Sequence, residues 1–382
     1  MRVRRLSLDL PDHPPVELLD DEDHPIVAVS AFLRQLTARG YSPNTVVAYA
    51  YDLLHFTRFL HQHALTYPDF TPPHALAFLE YLRATPSRQP AQRLSLARAT
   101  AQDGHVVTNL AAPTINRILA AVSSFYEYLI VAGQLPDAEN PLQQVDDLAR
   151  ARVSERHRPF LGSASRQRPI RRLVRVKTVQ RLPRPLTADQ VALLLGALRR
   201  WRDKAIFLLM LQGGLRPGEV LNLHLEDVQY GRRRVVIRYR TDHPRGVRTK
   251  SRTERVVDLH EPEALQALST YIMQERPTDT DSSLVFLVGG HGKHRHAALS
   301  YAALVKGFAR TCARLNLRTP WLTPHALRHT HATRMWEGGM RELTLQKRLG
   351  HASPESTRLY TRVSDPLVVA EYRRALGEEV GS

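Results

Sequence analysis

A single cysteine, Cys312, is all the thiol this chain of 382 residues carries. One cysteine excludes an intramolecular disulfide and a thiolate metal site. Its neighbours Phe308, Ala309 and Leu315 are apolar, so a buried, inert thiol is expected. No apolar run approaches the ~18 residues needed to cross a bilayer. The first residues carry Arg2, Arg4 and Arg5 but no apolar stretch, which does not read as a signal peptide. Repeats at solenoid periods are missing too, as is any low-complexity tract outside the region 150–185. These absences predict a cytosolic protein with no membrane contact.

What is present is basic. The formal net charge is +17, and arginine dominates the basic residues. Guanidinium suits bidentate contact with phosphate better than ammonium does. A surplus of this size fits a polyanionic partner, of which nucleic acid is the commonest. With 43% hydrophobic and 24% charged residues, the chain can bury cores, and its length suits two domains.

Residues 1–24 are Pro- and Asp-rich, ending in Asp20-Asp21-Glu22-Asp23, and read as an extension, poorly ordered or lying on a partner. Residues 25–148 carry helical stripes: Val27, Phe32, Leu33 and Leu36, then Val46, Tyr49, Leu53, Phe56 and Leu60, then Leu76, Leu79 and Leu82, then Ile115 to Leu129. Ser42-Pro43 reads as a cap followed by a first-turn proline. Gly40 and Gly133 read as stops. Four helices in this span predict a compact all-α domain with Tyr49, Phe56, Phe125 and Tyr126 in its core. Residues 84–112 hold turn residues with little periodicity and read as a long loop or insertion. Residues 149–185 form a basic linker, with twelve arginines and lysines against Glu155 over 150–185. Arg166, Arg168, Arg171, Arg172 and Arg175 are its candidates for a strap against a phosphate backbone.

From 186 to 382 the pattern is mixed. Thr187 is a good N-cap. Val235–Tyr239 and Arg255–Leu259 read as strands joined by a basic loop, and Leu284–Val288 as a third short strand or extended piece. Helical patterns fall at 203–212, 301–315, 325–336, 343–349 and 366–377. The fold class expected is mainly α with a small β-sheet.

The chemistry-bearing residues come in short runs. Gly214-Leu215-Arg216-Pro217-Gly218-Glu219 puts an arginine at a turn and a carboxylate three residues on. Lys250 sits in the loop between the two strands, where it can deliver a proton to a leaving oxygen. Thr323-Pro324 precedes His325 and Arg328, an i, i+3 pair on one helix face near an N-terminus that attracts anions. His325, His329 and His331 invite a metal reading, but no glutamate follows His325 and no acidic third ligand is near, so none is expected. His351 lies in Leu349-Gly350-His351, and Tyr360 follows nine residues later. A phenol is a plausible nucleophile for phosphorus, and guanidinium is a natural clamp for phosphate oxygens.

In this order and spacing, the runs at Arg216, Lys250, His325–Arg328, His351 and Tyr360 resemble the catalytic domain of the tyrosine recombinases, the phage integrase family. The all-α domain, with Asn44 and Thr45 after Ser42-Pro43 and Asn116 and Arg117 after Thr114-Ile115, is similar to the family's SAM-like core-binding domain, and these four are candidate DNA contacts. The resemblance covers about 25–148 and 186–375 and implies two domains forming a C-shaped clamp on double-stranded DNA with specific recombination sites. It implies that Tyr360 attacks a scissile phosphate to give a 3′-phosphotyrosyl link and a free 5′-hydroxyl. Arg216 and Arg328 hold the non-bridging oxygens. A free phenol is mostly protonated at neutral pH, so it needs an acceptor, for which His325 is the expectation. Lys250 protonates the leaving oxygen, His351 hydrogen-bonds the phosphate, and Glu219 and His329 support the site. No metal or other cofactor is required, since two guanidiniums and an ammonium supply the positive charge. The family works as a homotetramer on two DNA sites, and residues 366–377 suit docking either on a neighbouring subunit or on their own domain. A mobile-element integrase is the expectation. A resolvase of chromosome or plasmid dimers, a cleavage-deficient DNA-binding relative and a type IB topoisomerase are the alternatives.

Overall fold

The computed structural model describes residues 1–6, 13–87, 109–142, 144–146, 170–178, 184–249, 253–319, 321–351, 356–357, 360 and 372, with backbone only for 144–146 and 170–172. The described residues up to Thr178 form one compact unit and those from Arg184 onward a second. The amphipathic pattern at 366–377 apart from Tyr372, the loop over 88–108, and Lys250, Arg166 and Arg168 lie outside the described residues.

Helices α1 (Val27–Ala38), α2 (Pro43–Gln62), α3 (Pro72–Ala84) and α4 (Ala112–Val131) build the first unit. Ser42 caps α2 by accepting from the Thr45 N–H at 3.2 Å, and Pro43 takes the first turn, where its missing N–H costs nothing. Phe56 lies at the centre, with the rings of Phe70 and Phe78 edge-on at 5.0 and 5.6 Å. Phe125 and Tyr126 are buried with it, while Tyr49 packs half-buried on the same cluster. Each such side chain contributes about 1.5–3 kcal/mol by leaving water.

The described residues 1–6 and 13–24 do not form a loose extension. Strands β1 (Arg2–Arg5) and β2 (Val16–Leu19) pair as an antiparallel hairpin. Val16, Leu18 and Leu19 are fully buried, so the hairpin belongs to the core beside α1 and α2. The linker is also partly tied down. Strand β3 (Gln144–Asp146) pairs with β4 (Ile170–Arg172), and Val174 and Val176 pack against the core. The Asn116 amide clamps Val176 at both ends, donating to its carbonyl at 2.9 Å and accepting from its N–H at 2.8 Å.

In the second unit, α5 (Ala188–Gly196) starts with a reciprocal Thr187–Gln190 capping box. Helix α6 (Trp201–Gln212) is its central rod, with every residue from Ala205 to Leu211 buried. A short helix, α7 (Pro217–Leu221), follows, then a three-stranded antiparallel sheet of β5 (Val228–Gln229), β6 (Arg234–Ile237) and β7 (Arg255–Asp258). The sheet's third strand is β5, and 284–288 is the extended piece that the sequence pattern also allows. That segment makes isolated bridges, Leu284 with His224 and Leu287 with Ala298, and its residues Leu284 to Leu287 are all buried. Helix α8 (Pro262–Thr270) packs on α6. Helices α9 (Tyr301–Arg314), α10 (His325–Glu337) and α11 (Glu342–Leu349) complete the unit. Cys312 is buried on α9, and burial pushes its thiol up to about 11. No helix among the described residues is long and apolar enough to cross a membrane.

Candidate active site

Glu219 organises the site. It lies on α7, 2% exposed, and meets three arginines. Arg216, at the start of α7, donates to Oε1 at 2.7 Å. Arg255, on β7, makes a bidentate pair with both oxygens at 2.9 and 2.8 Å. Arg328, on α10, stands 3.9 Å away. Burial alone would push the carboxyl up, but hydrogen bonding and charge from Arg255, then Arg216 and Arg328, reverse this and hold it at about 2.

The C-terminal end of α11 supplies the other half of the clamp. The Leu349 carbonyl accepts from Arg328 at 2.7 Å, and the Gly350 carbonyl accepts from Arg216 at 2.9 Å. The Gly214 carbonyl takes the other terminal nitrogen of Arg328 at 2.6 Å. Unpaired carbonyls at a helix end carry partial negative charge and favour cations. Each guanidinium has five N–H donors, so contacts of this kind fix its plane and leave donors over for a ligand. Burial and the neighbouring Arg216 pull Arg328 down from its usual value, while the group stays protonated at neutral pH. Two like charges held this close make an anion-attracting centre.

Tyr360 is 2% exposed and packs with Ala332, Leu345 and Leu349. Its hydroxyl lies 2.8 Å from Nδ1 of His329. The His351 ring stacks parallel to the phenol at 6.3 Å between centroids, and its Nδ1 meets the Thr357 hydroxyl at 2.9 Å. Burial raises the Tyr360 pKa against the pull of Arg328 and Arg216. Burial also holds His329 at about 4, helped by His325 and Arg328, and His351 at about 3, helped by Arg328, Arg216 and Arg255. Both imidazoles are therefore neutral at pH 7. His325 opens α10, half-buried, one turn before Arg328 and His329.

The structure thus gathers Arg216, Glu219, Arg328, His329, His351 and Tyr360, with His325 on the same helix. The loop leading to Lys250 passes beside them: Val247 and Thr249 are buried, and a Cβ on Gly218 would meet the Arg248 carbonyl at 2.8 Å. The candidate DNA contacts fall elsewhere, in the first unit. Asn44 is exposed, and Thr45 bonds the Ser42 hydroxyl at 2.7 Å. Asn116 is committed to Val176, Arg117 pairs with Asp52 at 2.8 Å, and Arg175 is exposed. Only the backbones of Arg171 and Arg172 are placed.

Two residues carry no mark in the sequence. Arg255 has no signal beyond its place at the start of a strand. Arg348 donates through Nε to Nε2 of His331 at 3.0 Å, and His331 donates from Nδ1 to the Leu211 carbonyl at 2.9 Å. Among the described residues no group of three His, Cys, Asp or Glu could hold a metal, and His331 is spent on this buckle.

Helical first unit, arginine–glutamate cluster and buried tyrosine together define an integrase-type catalytic chain. The protein belongs to the phage integrase family: the family's catalytic pattern matches residues 184–366, and its N-terminal SAM-like domain pattern matches 29–133. It is 29% identical over 380 residues to transposase A from transposon Tn554 of Staphylococcus aureus, covering 98% of both chains. It is also 29% identical over 357 residues to tyrosine recombinase XerC of Chlorobaculum parvum, covering 90% of this chain and 93% of that one. Among solved structures it shares the fold of the Tn1549 transposon integrase in complex with transposon right end DNA (18% identical, 92% of this chain and 99% of that one, TM-score 0.60). XerH recombinase bound to palindromic difH substrate is similar too (17%, 91% and 84%, TM-score 0.57).

Proposed function

We propose that this protein is a site-specific DNA recombinase of a mobile element, cutting and rejoining duplex DNA through a 3′-phosphotyrosyl intermediate. The observation that carries the reading is Tyr360 held beside Arg216, Arg328 and His351. Arg216 and Arg328 hold the non-bridging oxygens and stabilise the charge of the pentavalent transition state. His351 and His325 complete the phosphate contacts, and Lys250 protonates the leaving 5′-oxygen. Glu219 fixes the arginines. The phosphotyrosyl bond stores the energy of the cut strand, so rejoining needs no ATP. Transfer works in a homotetramer on two DNA sites in the cytoplasm, with Arg166, Arg168, Arg171, Arg172 and Arg175 and the first unit's Asn44, Thr45 and Arg117 on the DNA backbone.

Likeness to a transposon-borne relative along 98% of both chains favours the mobile element. Likeness to XerC supports the second reading, a resolvase of chromosome or plasmid dimers. Nicked duplexes taken from the DNA flanking the gene test the chemistry. Wild-type protein should form a covalent adduct that survives denaturant and persists in EDTA, and Tyr360→Phe should form none. Equal cleavage by Tyr360→Phe would sink the assignment. Recombination between the gene's two flanks, rather than between two copies of one chromosomal site, separates the two settings.

A further inference from the structure

We propose that His329 is the group that takes the phenolic proton from Tyr360. This rests on the strand-transfer reading above. The sequence expectation named His325 because it heads the His-x-x-Arg run. The hydroxyl of Tyr360, however, lies 2.8 Å from Nδ1 of His329, hydrogen-bond distance for direct proton transfer.

The surroundings suit an acceptor. His325 and Arg328 face His329 from its own helix, and Tyr360 faces it from the segment beyond α11, with His351 stacked on the phenol. Two cationic or potentially cationic neighbours disfavour a second positive charge, and burial adds to this. His329 is therefore unprotonated at neutral pH, with a lone pair to offer. A bound DNA phosphate brings a negative charge beside these groups, which shifts His329 toward proton acceptance when it is needed.

The step balances. The Tyr360 oxygen forms a bond to phosphorus as its O–H proton passes to Nδ1 of His329, giving an imidazolium. The bond from phosphorus to the 5′-oxygen breaks, and that oxygen is protonated by the general acid. In rejoining, the 5′-hydroxyl attacks phosphorus and returns its proton to the general acid, while the bond from phosphorus to the Tyr360 oxygen breaks and His329 returns its proton to the departing phenolate.

The test is single-turnover adduct formation by full-length protein on a nicked duplex, comparing wild type, His329→Gln and His325→Gln. A second duplex carries sulfur in place of the bridging 5′-oxygen, whose thiolate leaves without an acid. The expected result is a loss of about 10²-fold in His329→Gln, the lower range for one proton-transfer group. The loss should persist on the sulfur duplex and shrink as pH rises toward the phenol's own range. DNA affinity of the variant should match wild type, which separates lost chemistry from lost folding. A His329→Gln rate within about threefold of wild type overturns the assignment. So does full rescue by the sulfur duplex, which would make His329 part of the acid limb. Absence of any adduct with wild-type protein would instead remove the strand-transfer reading beneath it.

Discussion

Arg255 shows what a buried charge costs when its partner is removed. Glu219 keeps both oxygens on Arg255 in a site almost closed to water. Breaking a buried pair from one side leaves an uncompensated charge and typically costs 3–5 kcal/mol, whereas the intact pair adds little net stability. Arg255→Ala should therefore lower unfolding free energy by about 3 kcal/mol in urea titration. Arg255→Lys should recover only part of it, because an ammonium cannot span both oxygens. Full recovery by lysine would show that charge alone matters there. The contact joins residues 36 positions apart on two elements. Nothing in local spacing marks it, so the sequence assigns Glu219 a supporting role without revealing its partner. Tyr360, Arg216 and His351 are legible because each sits in a short run whose internal spacing is itself the signal.

Helix α11 does more for the site than its eight residues suggest. Its last carbonyls seat Arg216 and Arg328, and its Arg348 side chain locks to His331 on α10. Gly350 ends it in the left-handed region at φ 62°, and a Cβ there would meet Arg255 Nη1 at 2.7 Å. Gly350→Ala should cost about 1–2 kcal/mol for the backbone conformation alone. It should slow adduct formation as well, since Arg255 must move. Retained stability with a normal rate would contradict the picture. The His331–Arg348 buckle also has a pH signature. Burial, with Arg348 close, holds His331 at about 3 against an ordinary imidazole near 6.5. Below pH 6.5 the unfolded chain gains a proton that the folded chain refuses, so stability is intact above that pH and falls as pH drops toward 3. His329 and His351 act with the same sign. Thermal melts from about pH 7.5 to 5 should show a declining midpoint, and His331→Gln should flatten the slope by close to one proton. Elements with their own punctuation are readable beforehand, as with Ser42-Pro43 and the Thr187 cap. Helix α8 is easily overlooked although Pro262 and the spaced Ala264, Leu265 and Leu268 mark it, and β5 is too short to show a period of two. The β1–β2 hairpin is hidden by the prolines and acids around it, although Val16 and Leu18 alternate as a half-buried strand should.

Across the whole chain, a net charge of +17 has to be reconciled with two well-packed units. Much of the excess is concentrated in the segment 150–185 rather than in either core. Where the structure describes the end of that segment, side chains alternate. Val174 and Val176 turn inward, Arg175 and Lys177 are exposed, and Asn116 pins the backbone between them. A segment anchored in this way presents cations at a fixed spacing, so less ordering entropy is lost when they meet phosphates than from a free tail. The strap and the catalytic centre should then separate experimentally. Replacing Arg166, Arg168, Arg171, Arg172 and Arg175 with alanine should weaken binding to duplex DNA. It should also reduce the slope of log affinity against log salt by about 0.9 for each phosphate no longer neutralised. Asn116→Ala, which leaves every charge in place, should lower affinity with a much smaller change in slope, because it loosens the segment without removing counterion release. Titrations of both variants at several salt concentrations distinguish the two effects. An unchanged slope in the five-arginine variant would remove the connector from the DNA interface and return its charge to solubility alone.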